Sequence, residues 1–572
     1  MNRIFFVVLL SLSITGIFGQ NTAPTKYWIQ LTDKNNSPYS INNPSQYLSQ
    51  KAITRRTKQG INIKQNDIPV NPSYIDSIKS TGVTVLHSSK WFNAVTIYTI
   101  DTNALALIDS FSFVKNIQNV AKIGTKKKDK KTRSERESEK LLNDLITKII
   151  MKELRKTLNM EADKSLIINY GLSYNQINMI GGVYLHDLGY LGNGITIAVL
   201  DGGFYAVDTM AAFDSLWYNN QILGTRDFVD PGGNVFQQAT HGMFVLSTMG
   251  ANIPGELVGT APKANYWLLR SEDTGTEYLI EEDNWVAAAE FADSVGVDII
   301  NSSLGYTTFN DTTQNHTYDD MNGETTRVTI AADIAASKGI LVVNSAGNSG
   351  ASAWTYIGAP ADGDSVFTIG GVDPLGNYAA FSSVGPTSDG RLKPNVVAQG
   401  QATVIAAPSG GITAGNGTSF ASPIIAGMSA CLWQANPNLT NMQLAAAIEE
   451  SSSNYFTPDS LKGYGIPNYT VANVISSGIP ISNFDTESKV DVFPNPFEKC
   501  IYILYQSSIA GNITIEIFDN TGRKVYYSND VSNNCGINCI TIDEVGGFAK
   551  GMYLLVVSNN DKISSTKIFK FK

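Results

Sequence analysis

The chain of 572 residues is too long for one core, and its length predicts three or four domains. With 43% hydrophobic and 16% charged residues it has the composition of a folded globular protein, which excludes a largely disordered chain. A formal net charge of −9 lacks the basic footprint of a dedicated nucleic-acid binder, so nucleic acid is not an expected partner.

Residues 1–19 read as a secretory signal peptide: a positive start at Met1-Asn2-Arg3, an apolar run from Ile4 to Leu12, then Gly16 and Gly19, with cleavage after Gly19. The apolar run is too short to span a bilayer, and no later segment has the roughly eighteen unbroken apolar residues that a span needs. Residues 20–122 form the next unit, where Lys26 to Leu31, Val83 to Leu86 and Ala94 to Tyr98 predict strands and Pro44 to Arg56 predicts the one helix. Residues 123–164 differ in composition. The basic run Lys126 to Arg133 has no apolar residue and predicts a solvated linker.

Residues 165–478 are the largest unit. Ile195 to Leu200 is a continuous apolar run of the kind expected of a parallel strand buried on both faces. Tyr266 to Leu269, Val297 to Ile300 and Ile340 to Val343 repeat it, and Asn284 to Val295 and Thr326 to Lys338 carry helical periodicity. Strands and helices in alternation predict an α/β layer structure with a parallel sheet, whose ligands bind beyond the carboxyl ends of the strands. Residues 490–572 return to short strands, Ile513 to Phe518 and Tyr553 to Val557, with a turn at Asp519-Asn520-Thr521-Gly522, and predict a small β-sandwich. Of the four cysteines, Cys431 stands alone, while Cys500, Cys535 and Cys539 allow a disulfide whose pairing the sequence leaves open.

The chemistry concentrates in the largest unit. Four histidines are present, His87, His186, His241 and His316, and only His241 is followed by glycine and an apolar segment, which lets another backbone approach it closely. Asp201 ends the first buried strand before Gly202-Gly203, where a carboxylate can orient a histidine or simply close a turn. In Gly417-Thr418-Ser419-Phe420-Ala421-Ser422-Pro423 a long apolar helix follows. Proline is tolerated in a helix's first turn, so Pro423 predicts a helix start near Ser419. Ser419 would then feel the positive end of the helix dipole and offer its own N–H to an oxyanion.

The chain order Asp, His, Ser is that of subtilisin, and not of chymotrypsin or the α/β-hydrolases; Gly-x-Ser-x-Gly is also missing around Ser419, which sets an esterase of the latter type aside. Together with Asp201-Gly202-Gly203, His241-Gly242, Asn301-Ser302-Ser303-Leu304-Gly305, Ser345-Ala346-Gly347-Asn348 and the heptapeptide at Gly417, this makes residues 165–478 resemble the subtilases. The resemblance implies a three-layer catalytic domain, a catalytic triad of Asp201, His241 and Ser419, and Asn348 as oxyanion donor. Loss of such a donor costs about 2.7–4 kcal/mol, a figure that comes from the corresponding asparagine of subtilisin itself. It also implies that Ser303, Leu304 and Gly305 pair with an extended substrate through the main chain. Gly202 and Met243 depart from the hydroxyl residues frequent at those places, and Gly202 removes a side-chain hydrogen bond to the carboxylate.

Lys26 to Ile29, Leu48 to Arg56 and Trp91 to Val95 resemble the propeptides of secreted bacterial subtilases, which implies an α+β chaperone and inhibitor removed after folding. Val492 to Phe497, Ile517 to Arg523 and Gly551 to Leu554 resemble the C-terminal sorting domain of type IX secretion substrates. The expected protein is a secreted or surface-bound serine endopeptidase, exported across a bacterial outer membrane by the type IX machinery. It cleaves proteins and peptides through an acyl-enzyme and is held by its own propeptide. No cofactor is required; the family allows structural calcium, for which the sequence names no ligands.

Overall fold

The computed structural model describes residues 25–122, 168–476, 490–493, 495–507, 511–533, 536–559 and 562–571. The expected signal peptide and the basic run at Lys126 to Arg133 lie outside them, as does Cys535.

In the N-terminal unit four antiparallel strands lie in the order Thr84–Ser89, Ala94–Tyr98, Lys26–Leu31, Val114–Ala121. The helix expected over Pro44 to Arg56 is broken. A 3-10 turn spans Pro44–Gln46, and an α-helix starts only at Gln50, where the Ser49 side chain accepts from Ala52 N–H, and runs to Lys58. Two helices went unread, Pro72–Ser80 and Thr102–Asp109, although each carries a start signal: Asn71 caps the first, with Pro72 at its first position, and Asp101 caps the second.

The central unit holds seven parallel strands in the order Val396–Gln399, Phe367–Val372, Leu341–Ser345, Ile299–Ser302, Thr196–Asp201, Asn265–Arg270, Ile222–Asp227. Burial on both faces explains the continuous apolar runs. Ile197 and Val199 join a core with the helices His241–Gly250 and Thr418–Ala435. Ala198 and Leu200 point the other way, into a core with Ile280–Val295 and Arg327–Ser337. The Ile280 helix begins before the expected Asn284, and its first turn carries Glu281, Glu282 and Asp283. The chain moves outward on one side of the Thr196 strand and then returns to add Ile299 on the other. The carboxyl ends of these two neighbours are therefore the topological switch point, where α/β sheets open to ligands.

The N-terminal sheet lies on the Ile280 and Arg327 helices. Trp28 and Trp91 enter their core, and the Arg327 guanidinium sits 4.2 Å from the Trp28 ring centroid. Gly296 ends the Ile280 helix with φ 85°, and an added Cβ would lie 2.7 Å from Ala52 N, so glycine serves both the helix end and the docking of the N-terminal helix. The C-terminal unit is a β-sandwich of a three-stranded and a four-stranded antiparallel sheet. Ile501 and Ile503 of one face Ile515, Ile517 and Leu555 of the other across a shared core. Cys431, Cys500 and Cys539 are free thiols, so the Cys500–Cys539 pairing that the sequence allowed is not made. Among the described residues no helix is long and apolar enough to cross a membrane.

Candidate active site

Asp201 is the last residue of the Thr196 strand and is fully buried. His241 opens the His241–Gly250 helix, and its Nδ1 lies 3.0 and 2.9 Å from the two Asp201 carboxylate oxygens. A carboxylate only accepts, so Nδ1 carries the proton. Burial lowers the His241 pKa, but the charge and hydrogen bond of Asp201, with a smaller contribution from Glu272, outweigh it and leave the imidazole above its ordinary value. The glycine after His241 is required by packing: a Cβ at Gly242 would sit 2.4 Å from the Gly203 carbonyl oxygen and 2.9 Å from Asp201 Cβ. With glycine after Asp201 the donor from that position is the backbone alone: Gly202 N–H donates to Asp201 Oδ1 at 2.7 Å.

The other three histidines have structural partners. His87 bonds Asn284 Oδ1 at 3.0 Å, His186 lies between Tyr170 and the Thr260 carbonyl, and His316 bonds Glu282 at 2.5 Å. Burial lowers both His87 and His186 to about 4.

Ser419 is the second residue of the Thr418–Ala435 helix. The helix starts where the sequence reading expects it, near Ser419, but Pro423 is its sixth residue and lies past the first turn. Its missing N–H leaves the Ser419 carbonyl without a helical donor, and Ser303 Oγ–H supplies one at 2.9 Å. The helix start is set instead by Gly417, with φ 151°, and by Asn348, whose Oδ1 accepts from Thr418 N–H at 2.9 Å and from Thr418 Oγ at 3.1 Å. That anchor commits the Asn348 oxygen and leaves its amide nitrogen as the donor at the helix start. Thr418 is thus a positioning residue that residue-type reasoning did not single out.

Ser419 Oγ is 3.4 Å from the Ser303 carbonyl and makes no hydrogen bond to His241, although the adjacent Phe420 ring lies 6.2 Å from the imidazole centroid. Ser303 is buried against Ser419. Leu304 is half-buried, its carbonyl accepting from Asn344 Nδ2 at 3.1 Å, and Gly305 is exposed at the end of the Ile299 strand. The switch point therefore brings Asp201 and His241 into contact, and Ser303, Ser419, Thr418 and Asn348 into a second connected group beside them.

A tyrosine and three glutamates beside this group were not foreseen. Tyr306, next after Gly305, donates its hydroxyl to Glu272 at 2.9 Å, and Glu272 is close enough to influence His241. Glu272, Glu277 and Glu281 form the one group among the described residues that brings three ligand oxygens together, within 4.8 Å of one another.

Comparison with known proteins assigns a family to each of three regions of the chain. Residues 192–465 match the subtilase family, residues 26–137 the Peptidase S8 propeptide domain of Bacteroidota, and residues 491–570 the secretion system C-terminal sorting domain. Subtilisin NAT of Bacillus subtilis subsp. natto is 32% identical over 301 residues, covering 52% of this chain and 70% of that protein. Subtilisin of Bacillus pumilus is 31% identical over 301 residues, covering 52% of this chain and 97% of that protein. Among solved structures, the prenylagaramide maturation protease PagA superposes with a TM-score of 0.41 at 23% identity, over 52% of this chain and 99% of its own. The sorting domain marks the protein for export, to be secreted or attached at the cell surface. With its propeptide, catalytic and sorting regions, this chain belongs to the subtilase family and is a serine-type endopeptidase.

Proposed function

We propose that Ser419, His241 and Asp201 cleave peptide bonds by acyl transfer. The observation that carries this reading is the His241–Asp201 pair: Nδ1 is held by both carboxylate oxygens, and Nε2 makes no hydrogen bond among the described residues, so it is available as a base. Ser419 Oγ leaves the Ser303 carbonyl, gives its proton to Nε2 and attacks the substrate carbonyl carbon. The oxyanion forms against the Asn348 amide and the Ser419 N–H, which the helix start leaves free of an intrahelical partner. His241 then protonates the leaving amine, and water hydrolyses the ester by the reverse proton path. Asp201 holds the imidazole in its tautomer and stabilises the cation without taking the proton. An extended substrate pairs with the main chain of Ser303, Leu304 and Gly305, so the backbone contributes more to binding than any one side chain. None of these steps calls on a cofactor.

The propeptide acts as an intramolecular inhibitor, with cutting in the basic run at Lys126 to Arg133, and the type IX machinery is the export partner. A surface binding protein that keeps the fold without turnover is the competing reading. A serine-directed fluorophosphonate separates the two: matured wild type is labelled and Ser419→Ala is not, whereas unlabelled mature wild type would contradict the peptidase mechanism. Ser419→Ala expressed alone accumulates with residues 20–160 attached. Normal maturation of that variant would mean that another peptidase does the cutting.

A further inference from the structure

We propose that Glu272, Glu277 and Glu281 form a binding site for a hard divalent cation of the calcium type, separate from the catalytic chemistry and outside the roles assigned above. The three carboxylates each place an oxygen within 4.8 Å of the other two. Glu281 is fully buried, and neither of its oxygens has a hydrogen-bond donor. Buried charge is costly unless it is paired or hydrogen-bonded, and other buried acids here are so satisfied: Asp227 by Arg270, Asp283 by Arg327, Asp293 by three cations, and Asp362 and Glu290 by hydroxyl and backbone N–H donors. No arginine or lysine pairs with Glu272 or Glu281 among the described residues, and the one donor to Glu272 in the group's surroundings is the neutral Tyr306 hydroxyl. Glu281 is the second residue of the Ile280–Val295 helix. The helix end favours an anion but offers only about half a positive charge, too little for three carboxylates.

The donor set selects the ion. All-carboxylate oxygen ligands suit calcium and magnesium and disfavour zinc or copper, which take nitrogen or sulfur. Calcium tolerates irregular, crowded carboxylates better than magnesium does. A bound ion would tie together three pieces: the end of the Asn265–Arg270 strand through Glu272, the following loop through Glu277, and the first turn of the helix through Glu281. Because Tyr306 links Glu272 to the segment after Gly305, the ion would also stiffen one wall of the substrate cleft.

The test uses the full chain with Ser419→Ala, which removes self-digestion. After dialysis against a chelator, terbium is titrated with tyrosine excitation, Tyr306 serving as the antenna. Calcium then displaces it, and thermal unfolding is followed in parallel. Saturable emission displaced by calcium is expected, together with a rise in Tm of about 5 °C at calcium 100-fold above its Kd. Glu281→Gln keeps the shape and removes one charge. It should bind terbium at least tenfold more weakly and lose the calcium-dependent rise, while unfolding no earlier than its parent in chelator. Glu277→Gln, at a partly exposed member, gives a second reading should the buried variant fold poorly. A parent that responds to neither ion would overturn the proposal and favour a proton shared between two carboxyls. A calcium response undiminished in both variants would also overturn it, by placing the ion elsewhere.

Discussion

Asp201 and Asp293 are both wholly buried carboxylates, yet their partners differ in kind. Asp201 faces one partly exposed imidazole, at the open end of the sheet. Asp293, in the last turn of the Ile280–Val295 helix, faces Arg55 at 2.6 Å, Arg56 at 2.8 Å and Lys90 at 2.8 Å, all from the propeptide. Burial pushes Asp293 up, but Lys90, Arg56 and Arg55 together hold it well below the usual carboxylate range. Nearby, Glu290 accepts from Ser89 Oγ at 2.6 Å and from the backbone N–H groups of Lys90 and Trp91. Asp201, the proposed catalytic acid, is thus matched to a group that gains and loses a proton near neutrality, and Asp293 to groups that stay charged. One arrangement suits proton transfer; the other suits a contact that persists.

Exchanging the roles of the two acids is the sharpest way to break this comparison. Asp201→Ala should lower kcat/KM by about 10⁴-fold, measured on peptide substrate per titrated active site, while leaving thermal unfolding of the Ser419→Ala zymogen nearly unchanged. Asp293→Ala should do the opposite. It takes a carboxylate from three buried cations, of which Arg56 keeps Asp67, and should destabilise the zymogen by about 3–5 kcal/mol in denaturant unfolding, with catalysis of the mature enzyme intact. If each substitution damaged both properties, the division of labour would be wrong.

Asn348→Ala should cost about 10²–10³-fold in kcat with KM little changed, because its amide meets charge that exists only in the transition state. Part of any further loss would come from the helix start, where the same side chain holds Thr418; Thr418→Val, which keeps the N–H, separates the two. The acid limb of kcat/KM should lie above the ordinary imidazole value of about 6.5, since His241 must be neutral to act and Asp201 raises its pKa. Activity is lost as pH falls through that limb, and Asp201→Asn should move the limb to lower pH.

The smallest effect concerns docking. Asp293 contributes its stabilisation throughout the range above the usual carboxylate pKa and loses it only below. His87 behaves differently: buried at about 4 against Asn284, it refuses a proton that an undocked His87 would accept. Zymogen stability should therefore decline as pH falls from about 6.5 toward 4, and His87→Gln should flatten the decline. Glu290, held above its ordinary value by burial, works in the opposite sense and limits the size of the effect. Thermal unfolding across that pH range, with and without the substitution, measures it.

Much of this was readable from residue order because it depends on local pattern. Doubly buried parallel strands need unbroken apolar runs, as at Thr196 to Asp201 and Leu341 to Ser345. The Arg327 helix announces itself by Thr326, whose side chain accepts from Thr329 N–H. Gly242 pointed to a close backbone approach, which proved to be the Gly203 carbonyl. The propeptide helices were missed although Asn71-Pro72 and Asp101 mark their starts, because their apolar stripes are short.

By itself the sequence determined the alternation of strands and helices, the order in which Asp201, His241 and Ser419 follow one another and the identity of each flanking unit. All of these follow from near neighbours in the chain or from recognisable motifs. Only the tertiary structure decided what depends on groups far apart in sequence. Pro423 can sit a full turn inside its helix because Ser303, 116 residues earlier, donates to the carbonyl that the proline leaves free. Asp293 is charged where it is buried because three cations arrive from more than 200 residues away. Glu272 and Glu281 meet because a strand end and a helix start converge at the sheet's open edge. The energy of a buried charge is set by what surrounds it in space, and no local pattern of residues records that.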